Sequence, residues 1–210
     1  MIILDGKKTS NDIKYEIAKE VKSIADSGNR PPHLAAVIVG NDGASLTYVG
    51  SKVKACENVG FDSTLLSLPE SISEEELLNK VNELNNDDKI DGYIVQLPLP
   101  KHIDTQKVLM AVDPKKDVDG FHPTNFGKMA LKLPTFISAT PNGIMELLKR
   151  YKVSTDGKHT VVIGRSDIVG KPISILMGLK TNPGNSTVTL AHSRTNNIED
   201  LIKQADIVIS

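Results

Sequence analysis

The chain has 210 residues, 25 of them basic and 26 acidic, with 39% hydrophobic and 24% charged residues. That near-neutral, ordinary composition describes a soluble globular protein and argues against nucleic acid or a membrane surface as its main partner. The N-terminus reaches Asp5 after a short apolar run, unlike a signal peptide, and no run approaches the roughly 18 apolar residues of a membrane span. The single cysteine, Cys56, allows neither an internal disulfide nor a thiolate metal site, so a reducing compartment, the cytoplasm, is expected and no metal is.

In chain order, Ser10 reads as the N-cap of a helix whose Ile13, Ile17, Val21 and Ile24 share one face, ended by Gly28. HLAAVIVG at 33–40 is a continuous apolar run that suits a buried parallel strand. A helix follows from about Ala44 to Val59, then a strand at 63–68 and a helix capped by Ser73 with three glutamates in its first turn. IDGYIVQLPLP at 90–100 reads as a third strand running into a proline-locked loop, and DTQKVLMAV as a short helix. Residues 113–143 hold four prolines and no long periodic segment, and read as a functional connector. From Pro141 a helix is expected. A second strand-helix series then runs through TVVIG at 160–164, a helix after Gly170, TVTLAH at 187–192, NIEDLIKQA and DIVIS. Strands alternating with helices across short loops predict α/β architecture with parallel sheets, in two domains.

TVVIG runs into a G-x-S-x-x-x-G loop, Gly164 to Gly170. Glycines at the end of a strand and the start of a helix let the backbone approach a pyrophosphate, and the helix N-terminus is expected to supply free N–H groups. The spacing departs from the standard G-x-G-x-x-G, and a tight turn in any α/β protein would read the same. After TVTLAH come Ser193, Arg194 and Thr195, where an NAD-binding fold usually places an acid; with Arg165 in the first loop, NADP fits better than NAD. The strand-helix-strand-helix-strand series reads as one mononucleotide half of a dinucleotide fold.

The first domain carries polar residues open to two readings. Tyr48 and Lys52 share a helix face; a boundary tyrosine and a lysine whose stem lies along apolar surface would look the same. Gln96 ends an apolar strand at the edge where open α/β sheets bind ligands, or it caps the sheet. Asp117 and Asp119 near glycine suit turns, His122 reads as structural and Cys56 as a packing residue. A Tyr-Lys pair four apart also occurs in short-chain dehydrogenases, but there the nucleotide loop opens the chain, whereas here the pair precedes it by over a hundred residues.

Taken together, Y-V-x-x-K at 48–52, V-Q-L-P-L-P at 95–100, K-D-V-D-G-F-H-P at 116–123, T-P-x-G at 140–143 and V-I-G-R-S-x-x-V-G-K-P at 162–172 resemble, in order and across the chain, the bifunctional methylenetetrahydrofolate dehydrogenase/methenyltetrahydrofolate cyclohydrolase family. The resemblance implies a folate-binding catalytic domain over 1–139 and a Rossmann-like NADP-binding domain from 140 to 210. It implies oxidation of 5,10-methylenetetrahydrofolate and hydrolysis of the methenyl product to 10-formyltetrahydrofolate. Lys52 would be the central catalytic group, with Tyr48 against the substrate, Gln96 orienting Lys52, Leu97 and Pro98 beside the substrate, and Asp119 gripping the pterin's amino edge. Gly164, Arg165, Ser166 and Ser193 would contact NADP, and a cytoplasmic homodimer paired through the nucleotide domains is implied. Two departures stand out. Ser138 and Ala139 replace the proline and cysteine that usually precede T-P-x-G, and the family continues past the final strand. The alternative implied by that ending is a fragment that binds folate or nucleotide without turnover.

Overall fold

A computed structural model describes residues 1–210, apart from the side chain of Ala44. It divides into two compact units, Lys7–Val118 and Met1–Gly6 with Asp119–Ser210. Residues 119–139, grouped by sequence with the first domain, here belong with the second unit: Gly120 lies against 136–138, and Ser138 bonds to Ile168.

The first unit contains α1 (Gly6–Asp26), β1 (His33–Val39), α2 (Gly43–Val59), β2 (Asp62–Leu68), α3 (Glu74–Asn86), β3 (Gly92–Val95) and α4 (Thr105–Ala111). Its three strands are parallel in the order β2-β1-β3. The central strand reads as a continuous apolar run because both of its faces are covered. Ala35, Val37 and Val39 point into a core with Leu77, Val81 and Leu84 of α3 and Val108 of α4, while Ala36 and Ile38 pack with Val49 of α2 and Ile94 of β3. Helices on opposite faces follow from the strand order, since the chain must cross from β2 over β1 to reach β3.

Local chemistry sets several boundaries. Asp42 caps α2 through its carboxylate to the Ser45 N–H, and Gly60 closes the helix at φ 83°. Ser73 and Glu76 form a reciprocal capping box on α3. Two expectations are corrected. Ser10 does not cap α1, which starts at Gly6; the polar first turns are helical and carry a Lys8–Asp12 ion pair one turn apart. The third strand spans only 92–95, because Pro98 and Pro100 carry no N–H to extend a ladder. Gly92 is required there, since a Cβ would lie 2.3 Å from Val118 Cγ1.

The second unit holds α5 (Pro123–Ala130), α6 (Ala139–Arg150), β4 (His159–Ile163), α7 (Gly170–Gly178), β5 (Thr187–Ala191), α8 (Ile198–Gln204) and β6 (Ile207–Ile209). Helix α5 lies within 113–143, read from sequence as a connector without a long periodic segment: His122 Nδ1 caps it by accepting the Thr124 N–H at 3.1 Å, and Pro123 opens it. Leu148 of α6 packs with Val162 of β4 and with Ile173 and Met177 of α7. The strands are parallel in the order β5-β4-β6. A standard mononucleotide half would place its first strand at one edge, in the order 3-2-1. Here β4 is central, so the second unit repeats the 2-1-3 order of the first. No helix among the described residues is long and apolar enough to cross a membrane.

Candidate active site

In an open parallel sheet, ligands gather beyond the carboxyl ends of the strands, where the chain departs to opposite faces on either side of one strand. In the first unit that point lies between β1 and β3. The buried stripe of α2 runs through Ser45, Val49, Cys56 and Val59, and burial raises the Cys56 thiol pKa, consistent with packing and not nucleophilic use. Lys52, three residues after Val49 and four before Cys56, lies on that stripe, and Tyr48 lies at its edge. Tyr48 is 55% exposed, and Lys52, half-buried, places its ammonium 4.7 Å from the centre of the Tyr48 ring. One turn of helix thus presents a flat aromatic surface with a cation over one face, a contact worth about 0.5–1 kcal/mol when exposed.

Gln96 follows β3 and keeps the ladder's pairing, its N–H donating to Val37 O at 2.8 Å. Alternation puts it on the face of Ile94, which packs with Val49 of α2. Its side-chain amide donates to the Leu97 carbonyl at 2.7 Å. The Leu97–Pro98 peptide is cis, and Pro98 is exposed. Of the two loop acids, Asp117 is 5% exposed and pairs as an isolated bridge with Tyr93 along the free edge of β3. Asp119, half-buried, begins the second unit. Gly120 after it has φ 68°, and a Cβ there would lie 2.6 Å from Ser138 N, so only glycine fits.

The switch point of the second unit lies between β4 and β6. Gly164 leaves β4 at φ 121°, and a Cβ on Gly170 would lie 2.2 Å from Gly164 O. Strand end and helix start are therefore pressed together, a cradle that any side chain would fill. The expectation of free N–H groups at the start of α7 is corrected. Ser166 Oγ accepts from both Val169 N and Gly170 N at 3.2 Å, Lys171 N donates to Ser166 O at 3.0 Å, and Pro172 has no N–H. The helix terminus is closed by Ser166. Among the described residues, the main-chain N–H groups of Arg165, Ser166, Asp167 and Ile168 make no hydrogen bond, so the loop itself carries the open donors. Arg165 and Ser166 are exposed.

After β5, residues 192–195 form a tight turn in which His192 N donates to Thr195 Oγ1 at 2.8 Å and Arg194 N to His192 Nδ1 at 3.1 Å. Ser193 and Arg194 stand exposed on it, with no carboxylate between 192 and 195. No cluster of three or more histidine, cysteine or acidic side chains among the described residues could hold a metal ion. Sequence reasoning missed the closing role of Ser166 and the contact of buried Ser138 with the loop. A serine two residues past the strand-end glycine hinted at the first; no local signal marked the second.

Comparison with known proteins matches this arrangement along its length. The family pattern of the tetrahydrofolate dehydrogenase/cyclohydrolase catalytic domain matches residues 4–119, and that of its NAD(P)-binding domain residues 138–210. The bifunctional protein FolD of Flavobacterium johnsoniae is 71% identical over 210 residues, all of this chain and 71% of the relative. The bifunctional FolD enzyme of Campylobacter jejuni superposes with a TM-score of 0.94 at 42% identity, covering 99% of this chain and 72% of that one. The dehydrogenase-cyclohydrolase of Trypanosoma brucei, solved with NADP cofactor and inhibitor, superposes at 0.93 with 34% identity, over 100% of this chain and 71% of that one. The chain belongs to the tetrahydrofolate dehydrogenase/cyclohydrolase family.

Proposed function

We propose that this chain catalyses NADP-dependent oxidation of 5,10-methylenetetrahydrofolate to the 5,10-methenyl compound and its hydrolysis to 10-formyltetrahydrofolate, a step of one-carbon metabolism. The observation that carries the reading is the Tyr48–Lys52 pair on α2, in a chain matched by both family domains. NADP, when bound, accepts the hydride, and the requirement on the protein is alignment of two rings. The glycine cradle, the open N–H groups at 165–168, Arg165 and Ser193 suit the phosphates of NADP, and the lack of an acid after β5 suits its 2′-phosphate. Ser166 takes part by closing α7 and shaping the loop.

In the hydrolysis, water adds to the methenyl carbon and loses one proton; as the carbon–nitrogen bond at N5 breaks, the remaining hydroxyl proton passes to N5, leaving the formyl group on N10. Lys52 is the catalytic group that handles the proton, Tyr48 lies against the folate ring, and Gln96 holds the Lys52 amine in line. Leu97 and Pro98 border the substrate. Asp119 accepts two N–H bonds from the pterin's amino edge, which a carboxylate can do at once. A homodimer formed through the nucleotide units fits the exposed apolar Leu190, Ile202 and Val208, and a cytoplasmic location fits the single buried cysteine.

The test is an assay of the purified chain with 5,10-methylenetetrahydrofolate and either NADP or NAD. We expect reduced nicotinamide to form with NADP at a higher kcat/KM than with NAD, followed by 10-formyl product. Absence of hydride transfer with both would overturn the reading.

A further inference from the structure

Ser138 is 3% exposed and sits just before α6, yet its hydroxyl makes no capping bond to that helix. It donates instead to the carbonyl of Ile168, in the nucleotide loop, at 2.7 Å. The same peptide unit is held at its other end, because the N–H of Val169 donates to Ser166 Oγ at 3.2 Å. Two serine hydroxyls, one from within the loop and one from thirty residues earlier, thus fix the Ile168–Val169 peptide in a single orientation. The backbone of Ser138 also abuts Gly120, the residue after Asp119.

We infer that Ser138 is a positioning residue for the dehydrogenase step: by holding the Ile168 carbonyl it sets the conformation of the loop whose N–H groups receive the cofactor's phosphates. Rotation of that peptide would swing the Ile168 carbonyl, an acceptor, toward solvent and redirect the neighbouring donors. A phosphate meets a carbonyl oxygen with repulsion, so the orientation matters more than one lost bond between neutral groups suggests. Hydrolysis of the methenyl compound consumes only water and requires no NADP, which makes it an internal control.

This inference rests on the proposed function, and the experiment separates the two. NADP affinity is measured by isothermal titration of the enzyme without substrate. Both half-reactions are assayed, hydrolysis in the absence of NADP. Ser138→Ala is expected to weaken NADP binding about three- to tenfold, the factor a typical hydrogen bond supplies. The KM for NADP should rise by a similar factor, with hydrolysis unchanged. Ser138→Thr, which keeps the hydroxyl, should recover most of the affinity. Unchanged NADP binding in Ser138→Ala overturns the inference, as does equal loss of both activities with a lowered melting temperature, which marks a merely structural role. Failure of the unsubstituted chain to transfer hydride would sink the proposed function alone; the titration of NADP would still decide the role of Ser138.

Discussion

Tyr48 sits at the edge of the buried stripe of α2, while Lys52, half-buried, and Cys56, buried, sit on it. A four-residue step advances about 400°, so side chains at 48, 52 and 56 drift around the helix, and a small change of angle separates burial from exposure. Sequence could place the three on one side of the helix; only packing shows where the core ends. A converse case is Thr160, in the central strand of the second unit. It is wholly buried, and its hydroxyl finds no hydrogen-bond partner among the described residues. An unpaired buried hydroxyl costs about 1–3 kcal/mol, so Thr160→Val, which keeps the shape and removes the polar atom, should hold or raise stability. Chemical denaturation checks this: a loss above about 1 kcal/mol would show that the hydroxyl has a partner.

At the scale of elements, apolar runs and caps made most of the fold legible. HLAAVIV is buried on both faces, Ser73 with Glu76 forms the expected cap, and Gly60 ends α2 as glycine usually does. Helix α5 was harder to see, because its first turn depends on a histidine cap and its buried face includes Asn125, whose Oδ1 accepts from Thr135. Strand order was illegible for a different reason: β6 pairs with β4 and not β5 through contacts nearly fifty residues apart. The first sheet has its own long-range fastening. The guanidinium of Arg30 grips both carboxylate oxygens of Asp91, at 2.6 and 2.9 Å, and Asp91 also accepts the His33 N–H, tying the start of β1 to that of β3. The hydrogen bond from Arg30 holds the Asp91 pKa below the usual carboxylate range, helped by the His33 N–H and opposed by partial burial. A depressed folded pKa contributes stability above the unfolded value, roughly 4, that is lost as pH falls through the folded one. Melting temperature followed from neutral pH downward should therefore fall less steeply in Asp91→Asn than in the parent below about pH 4. Identical acid limbs would show that the clamp contributes nothing.

For the whole molecule, the two units share a strand order; Gln96, Arg165 and Ser193 follow the carboxyl ends of their strands, while Tyr48 and Lys52 lie on α2. The order puts helices on both faces of each sheet and opens a switch point at β1/β3 and another at β4/β6. The motif residues could be read from sequence because their types and order are distinctive. The loop's support by Ser138 and Ser166 could not, because it depends on how a peptide plane is turned. Lys52→Ala tests the central claim most directly, with hydrolysis of the methenyl compound and NADP affinity measured on the same preparation. Loss of a positioned proton-transfer group should slow hydrolysis by about 100-fold or more, with NADP binding unchanged. Normal hydrolysis in that variant would contradict the assignment of Lys52 and the mechanism built on it.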